Sequence, residues 1–310
     1  MSRFLMIKSI LILSLFLCLG YVNGQDKEES LFLSDSRYSE GIEDKLLGLM
    51  KADGAKSVSA LQTAARQLID DQPATYHLPT QEKANEVTAD AIYEQKRAAV
   101  FILGRLNNKG ENAGAFADPI ATAFAISDDG LCVTNRHVLA ELLHAKSQQA
   151  EDVSDRSTYY VQNVEGEVFL IDELLAYSSS NDLCIFKINT RGKSLPFLRL
   201  EEVAKVGSTV YVLAHPKQNY FMLTEGMVSK NSKLENPANP NQVQWRMSIT
   251  ADYAVGSSGG PILNSKGQLA GIVSSTINIY GNQATQEPFQ MVLKNAISVL
   301  AIKKLLKERK

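Results

Sequence analysis

A mainly β fold of the barrel or sandwich kind, preceded by a helical segment and closed by a helix, is what this 310-residue sequence predicts. Three observations carry that expectation. Between Val100 and about Met291, short β-rich runs recur at even spacing and are separated by turn signals. Residues 25 to about 87 are instead polar and rich in Glu, Asp, Ala, Gln and Lys, with apolar side chains at helical spacing. Beyond residue 24 only Cys132 and Cys184 remain, so a packed core rather than a disulfide framework must hold the chain together.

Taken in order, residues 1–24 combine Arg3 and Lys8, an apolar run over residues 10–19, and Tyr21-Val22-Asn23-Gly24 ahead of a cleavage point at Gln25. That is the pattern of a secretory signal peptide, and it implies an exported protein, periplasmic or extracellular, with no membrane span in the mature chain. A retained anchor counted from Phe4 is the alternative. Lipidation at Cys18 is disfavoured, because Leu17 stands where a small residue is needed. The helical extension, residues 25–89, shows one apolar face in Ile42, Leu46, Leu47 and Met50 and a second in Val58, Leu61, Ala64, Ala65 and Leu68. Pro73 and Pro79 interrupt it, and a short third helix is expected from Asp90 to Arg97. The main domain, residues 90–310, opens with a strand at 100–103. Further runs follow at 124–126, 131–134, 159–161, 168–171, 183–186, 209–213, 244–247 and 269–273. A C-terminal helix is expected with Asn295 as N-cap and Ile297, Leu300, Ala301 and Leu305 on one face.

The formal charge of −2 becomes −4 once residues 1–24 are removed, leaving 30 basic against 34 acidic side chains. That balance does not suit nucleic acid. No His and carboxylate cluster has metal-ligand spacing and no glycine loop suits phosphate, so neither metal nor organic cofactor is expected. Cys132 and Cys184 lie in apolar strand-like runs, as two buried free thiols or as one mutual disulfide, and neither has a reactive setting.

Chemistry concentrates in Gly256-Ser257-Ser258-Gly259-Gly260-Pro261. A nucleophilic serine needs its hydroxyl clear of the backbone. A tetrahedral oxyanion needs amide donors unobstructed by side chains, here those of Gly256 and Ser258. Such a serine also needs a base. His77 lies between prolines, His144 in an expected helix and His215 before Pro216, whereas His137 follows the apolar run 131–134 directly, where a strand end can aim it.

Thr134-Asn135-Arg136-His137-Val138 resembles the histidine motif of trypsin-like serine proteases of the HtrA/Deg type, and residues 256–261 resemble their nucleophile motif. Asn181-Asp182-Leu183-Cys184-Ile185-Phe186 resembles the element carrying that family's acid, which gives Asp182 the third role over its rivals Asp152, Asp155 and Asp172. The resemblance runs from about Tyr93 to Leu306 and implies two six-stranded antiparallel β-barrels with a Ser-His-Asp triad between them. It implies a serine endopeptidase acting on polypeptides, specifically exported or misfolded ones, with homo-oligomers a further possibility. The other readings are a non-catalytic double-barrel binding protein and an esterase using the same triad. Two departures stand out: Ala121-Thr122-Ala123 replaces a glycine-containing pair, and no peptide-binding PDZ module is expected after the C-terminal helix. For specificity, the resemblance to trypsin-like enzymes makes Asp252, six residues before the nucleophile, either the acid of a pocket that favours cleavage after Arg or Lys or a structural acid of the HtrA type, whereas Ser274-Ser275-Thr276, resembling a pocket wall narrowed by a β-branched side chain, favours small aliphatic residues.

Overall fold

Strands such as Leu131–Asn135, buried at every position, need cover on both faces, and here closed sheets supply it. The computed structural model describes residues 31–52, 54–79, 84–108, 114–143 and 157–308. The leader expected at 1–24 lies outside them, as do His144, Asp152 and Asp155. Among the described residues no helix is long and apolar enough to cross a membrane.

Strands β2 (Val100–Asn108), β3 (Ala115–Ala125), β4 (Leu131–Asn135), β5 (Thr158–Gln162), β6 (Val168–Ser178) and β7 (Leu183–Ile188) close into a ring ordered β2-β3-β4-β7-β6-β5. Six further strands follow: β8 (Thr209–Ala214), β9 (Met222–Asn236), β10 (Asn239–Ile249), β11 (Pro261–Asn264), β12 (Leu269–Asn282) and β13 (Glu287–Ser298). They close in the order β10-β13-β12-β11-β8-β9. Phe101, Phe169 and Phe186 fill the first core together with Cys132 and Cys184, whose thiols are free. Burial pushes both thiols up, that of Cys184 to about 12, so they act as apolar filling. A second core gathers Val210, Val212, Met247, Ile249, Ile262 and Val273.

Residues 42–65 of the extension are built into this body. Helix α1 (Ile42–Ala52) buries Ile42 and Leu46 against Leu106, Tyr160, Val168 and Leu170. Helix α2 (Val58–Ala65) is capped by Ser57, whose Oγ accepts from the Ala60 amide at 3.2 Å, and sends Val58, Leu61 and Ala65 into the core of the first ring. Helix α3 (Ala89–Lys96) falls where the sequence places it. A strand unmarked in the sequence, β1 (Ala74–Tyr76), pairs in parallel with β14 (Leu306–Glu308).

One expected feature is corrected. Asn295 does not cap the last helix; it lies in β13, opposite Ser248 of β10 and Ser275 of β12. Helix α4 (Val299–Leu305) starts later, capped by Ser298, whose Oγ accepts from the Leu300 amide at 3.4 Å. Residues 295–298 are held as a strand because β13 must pair on both sides to close its ring, and tertiary pairing outweighs local capping preference.

If α2 is part of the folded body, Leu61→Ala should destabilise the full chain by about 2–5 kcal/mol in denaturant unfolding. A loss under about 0.5 kcal/mol would mark α2 as a surface appendage.

Candidate active site

Pairing of β4 with β7 sets Asn135 opposite Leu183, and this register brings the residues just beyond it together. His137 lies in the 3₁₀ turn Arg136–Leu139 that follows β4, and Asp182 immediately precedes β7. The Arg136 amide donates to the Asp182 carbonyl at 3.0 Å, and Asn135 Nδ2 donates to it at 3.2 Å. The Asp182 carboxylate then takes hold of the histidine twice. Oδ1 accepts from the His137 amide at 2.9 Å, and Oδ2 lies 2.8 Å from His137 Nδ1. An ionised carboxylate only accepts, so the proton sits on Nδ1 and the lone pair of the neutral ring is on Nε2. Asp182 adopts φ +54°, a left-handed conformation that Asp tolerates better than most residues.

Ser274 completes the surroundings of the acid. A bulge between Val273 and Ser275 takes Ser274 out of the β12–β13 ladder, and its Oγ donates to Asp182 Oδ2 at 3.4 Å. Proposed from sequence as pocket wall, this residue touches the acid of the site instead.

In the nucleophile loop the two adjacent serines have different surroundings. Ser257 is fully buried, and its Oγ accepts from the Ala254 amide at 3.4 Å. Ser258 is partly buried, and its hydroxyl forms no hydrogen bond among the described residues. Its main chain is fixed, however. The Thr122 amide donates to the Ser258 carbonyl at 2.9 Å, and Thr122 Oγ1 donates to the Gly256 carbonyl at 2.9 Å. The Thr122 carbonyl in turn accepts from Thr134 Oγ1 at 2.8 Å, three residues before His137. From the other side, the Val273 amide donates to the Gly260 carbonyl at 2.9 Å. The loop therefore lies between the strand leading to His137 and the strand leading to Ser274.

Glycine is required at two points in that loop. Gly259 has φ +80°, and a Cβ there would come 2.2 Å from both the Thr122 carbonyl and Thr134 Oγ1. Gly256 has φ +96°, and its Cβ would come 2.5 Å from the His215 carbonyl. The Val255 carbonyl accepts from the Lys217 amide at 2.7 Å. Because a trans peptide points its C=O and N–H in opposite directions, this bond turns the Gly256 amide away from Lys217. Neither the Gly256 nor the Ser258 amide has an acceptor among the described residues.

The remaining sequence candidates fall elsewhere. His77 is exposed. His215 is buried; desolvation lowers its pKa to about 3, so it is a neutral ring, with Nδ1 accepting from the Phe221 amide at 2.9 Å. Asp172 pairs with Lys56 at 3.1 Å. The Asp252 side chain is 83% exposed and ion-paired with Lys294, the register partner of Thr276. Ser275 and Thr276 are exposed, and the Ser275 carbonyl accepts from Tyr253 Oη at 2.9 Å. Thr122, hidden in a run that departs from the expected glycine pair, is the residue sequence reasoning missed. A threonine amid alanines carries no catalytic signal of its own.

Comparison with known proteins is consistent in kind. The family model of the trypsin-like peptidase domain matches residues 121–272. The serine endoprotease DegS of Escherichia coli (strain K12) is 25% identical over 255 residues, covering 79% of this chain and 63% of DegS. A DegP-like periplasmic serine endoprotease of Pseudomonas putida (strain GB-1) is 31% identical over 161 residues, covering 51% of this chain and 29% of its own. The chain thus spans less than two thirds of the length of these relatives. The crystal structure of Deg5 superposes with a TM-score of 0.50 at 21% identity, covering 69% of this chain and 90% of Deg5, a likeness of fold.

Thr122→Val keeps shape but removes the hydroxyl that donates to the Gly256 carbonyl. It should destabilise the chain by about 1–3 kcal/mol in denaturant unfolding. An unchanged midpoint would mean that the loop is held by other contacts.

Proposed function

We propose, from the premise that this chain carries a trypsin-like peptidase domain and is homologous to the HtrA/Deg serine proteases, that it is an exported serine endopeptidase whose triad is Ser258, His137 and Asp182. The double grip of Asp182 on His137 is the observation that carries the reading. It leaves Nε2 as the free base. In the proposed mechanism Nε2 takes the Ser258 hydroxyl proton as Oγ attacks the scissile carbonyl, and Asp182 stabilises the resulting imidazolium. The amides of Gly256 and Ser258 receive the developing oxyanion. His137 then delivers its proton to the leaving amine, and a water activated by the same nitrogen releases the acyl group from Ser258. Each step uses groups of this chain, its substrate and water.

Export rests on the leader pattern of residues 1–24, and a polypeptide substrate, specifically an exported or misfolded chain, on the likeness to DegS and DegP-like proteases. The division at 89/90 into extension and protease domain is proposed as one of sequence character only, because Ser39–Lys310 forms one compact unit in which α1 and α2 pack on the first ring. For specificity, Asp252 is exposed and already paired with Lys294, which weakens it as an anionic site for a basic side chain. Small uncharged residues are therefore proposed at the cleaved position, lined by Ser275 and Thr276.

Ser258→Ala should lower kcat by about 10⁶-fold, and Asp182→Asn by about 10⁴-fold through the wrong imidazole tautomer, both in a folded protein. The cleavage profile of a peptide library should show small aliphatic side chains at the cleaved position. Residual turnover in Ser258→Ala near the wild-type level would refute the mechanism, and enrichment of Arg or Lys would return Asp252 to the specificity site.

A further inference from the structure

Two consecutive acids of the extension, Asp70 and Asp71, meet the loop that ends in Asp182. The Asp71 amide donates to the Tyr177 carbonyl at 3.0 Å, which continues the edge of β6. Asp71 Oδ1 accepts from the hydroxyls of Ser178 and, at 3.2 Å, Ser180, and its Oδ2 accepts from Ser180 at 3.3 Å. Asp70 Oδ1 accepts from the Ser179 amide at 2.7 Å. Every residue from 177 to 180 is therefore bonded to one of these two acids.

The next residue passes the constraint on. Ser178 Oγ, its proton committed to Asp71, accepts from the Asn181 amide at 3.0 Å and from Asn181 Nδ2 at 3.3 Å. Asn181 is buried, and its side chain spans to the second ring: Oδ1 accepts from the Trp245 amide at 2.9 Å, and Nδ2 donates to the Val243 carbonyl at 3.0 Å. Arg246 Nη2 donates to the Ser180 carbonyl at 3.0 Å, and its guanidinium is near enough to Asp182 for that carboxylate to oppose the downward pKa shift that burial imposes on it. Asp182 follows at once in its left-handed conformation, as does Asp71 at φ +60°. Such backbone persists only where its surroundings over-determine it. Here the extension supplies one side of that frame and β10 the other.

We propose that Asp71 is a positioning residue for catalysis. Through Ser178, Ser180 and Asn181 it fixes the turn that aims the Asp182 carboxylate at His137, so that the extension, residues 25–89, is a working part of the active site. This rests on the protease reading above. Asp71 precedes the residues matched by the trypsin-like peptidase family model, 121–272, and it touches no member of the triad.

The test is steady-state kinetics of the full chain with a peptide substrate for wild type, Asp71→Ala, Asp71→Asn, Ser180→Ala and the Asp71→Ala/Ser180→Ala double variant, with thermal unfolding of each. A displacement of the acid by a fraction of an ångström should show in kcat rather than binding. Asp71→Ala should lose about 10–100-fold in kcat with KM within twofold of wild type. Asp71→Asn, which keeps an acceptor oxygen, should recover most of that loss. The double variant should lose no more than the worse single one, because Ser180 is held by Asp71 and the two act in series. Should Asp71→Ala fail to fold, Ser180→Ala carries the same kcat test from the loop side. An unchanged kcat in a folded Asp71→Ala, a loss confined to KM, or no recovery with Asn would overturn the proposal while leaving the protease reading standing. A folded wild type without turnover would overturn both.

Discussion

Both carboxylate oxygens of Asp182 hold His137, one through its main-chain amide and one through Nδ1, and the geometry of the candidate site follows from that double contact. The imidazole is held in position and in tautomer at once. The contact requires Asp182 to leave the strand direction and take a left-handed turn just ahead of β7, a conformation that costs about 1 kcal/mol or more and needs support. Support comes from Arg136 and Asn135 at its carbonyl, from Ser274 at its carboxylate, and from the buried Asn181 that precedes it. The two closed rings meet the site through these neighbours, since Ser274 belongs to β12 and Asn181 bonds β10.

Much of this was legible in the sequence for a simple reason: chemistry restricts composition. A loop that must approach Thr122 and Thr134 within 2.2 Å of a would-be Cβ can only be glycine there, so Gly259 stands out beside Ser258. His137 was legible through the motif Thr134–Val138, since strand context alone does not single it out: His215 follows β8 just as directly. Apolar strands such as β4, β7 and β8 announced themselves by β-branched and aromatic runs. Strand β9 did not: Met222–Asn236 is mostly polar and exposed, and it is a strand because β8 and β10 flank it. Asn295 misled for the same reason, its capping preference being outweighed by pairing on both edges of β13.

Supporting groups were less legible than reacting ones. Ser274 aims at Asp182 because a bulge frees it, and bulges leave no composition signature in Val273-Ser274-Ser275. Thr122 acts through its amide, hydroxyl and carbonyl together, and threonine in a buried strand is ordinary. Asp70 and Asp71 are the only acids between Asp53 and Glu82, yet nothing local distinguishes a bonded carboxylate from a solvated one. By contrast, the amphipathic spacing of Ile42, Leu46, Val58 and Leu61 did forecast that the extension had an apolar face to bury, though not the surface that would receive it.

The central claim is that the Ser258 hydroxyl, with no hydrogen bond among the described residues and His137 as its base, is a nucleophile. The most direct measurement is covalent labelling of the folded full chain with a fluorophosphonate, followed by peptide mapping of the adduct. One equivalent bound at Ser258, abolished in Ser258→Ala and strongly slowed in His137→Ala, is the predicted result. A folded chain that stays unlabelled in the presence of peptide ligand, or an adduct mapped to Ser257, would contradict it.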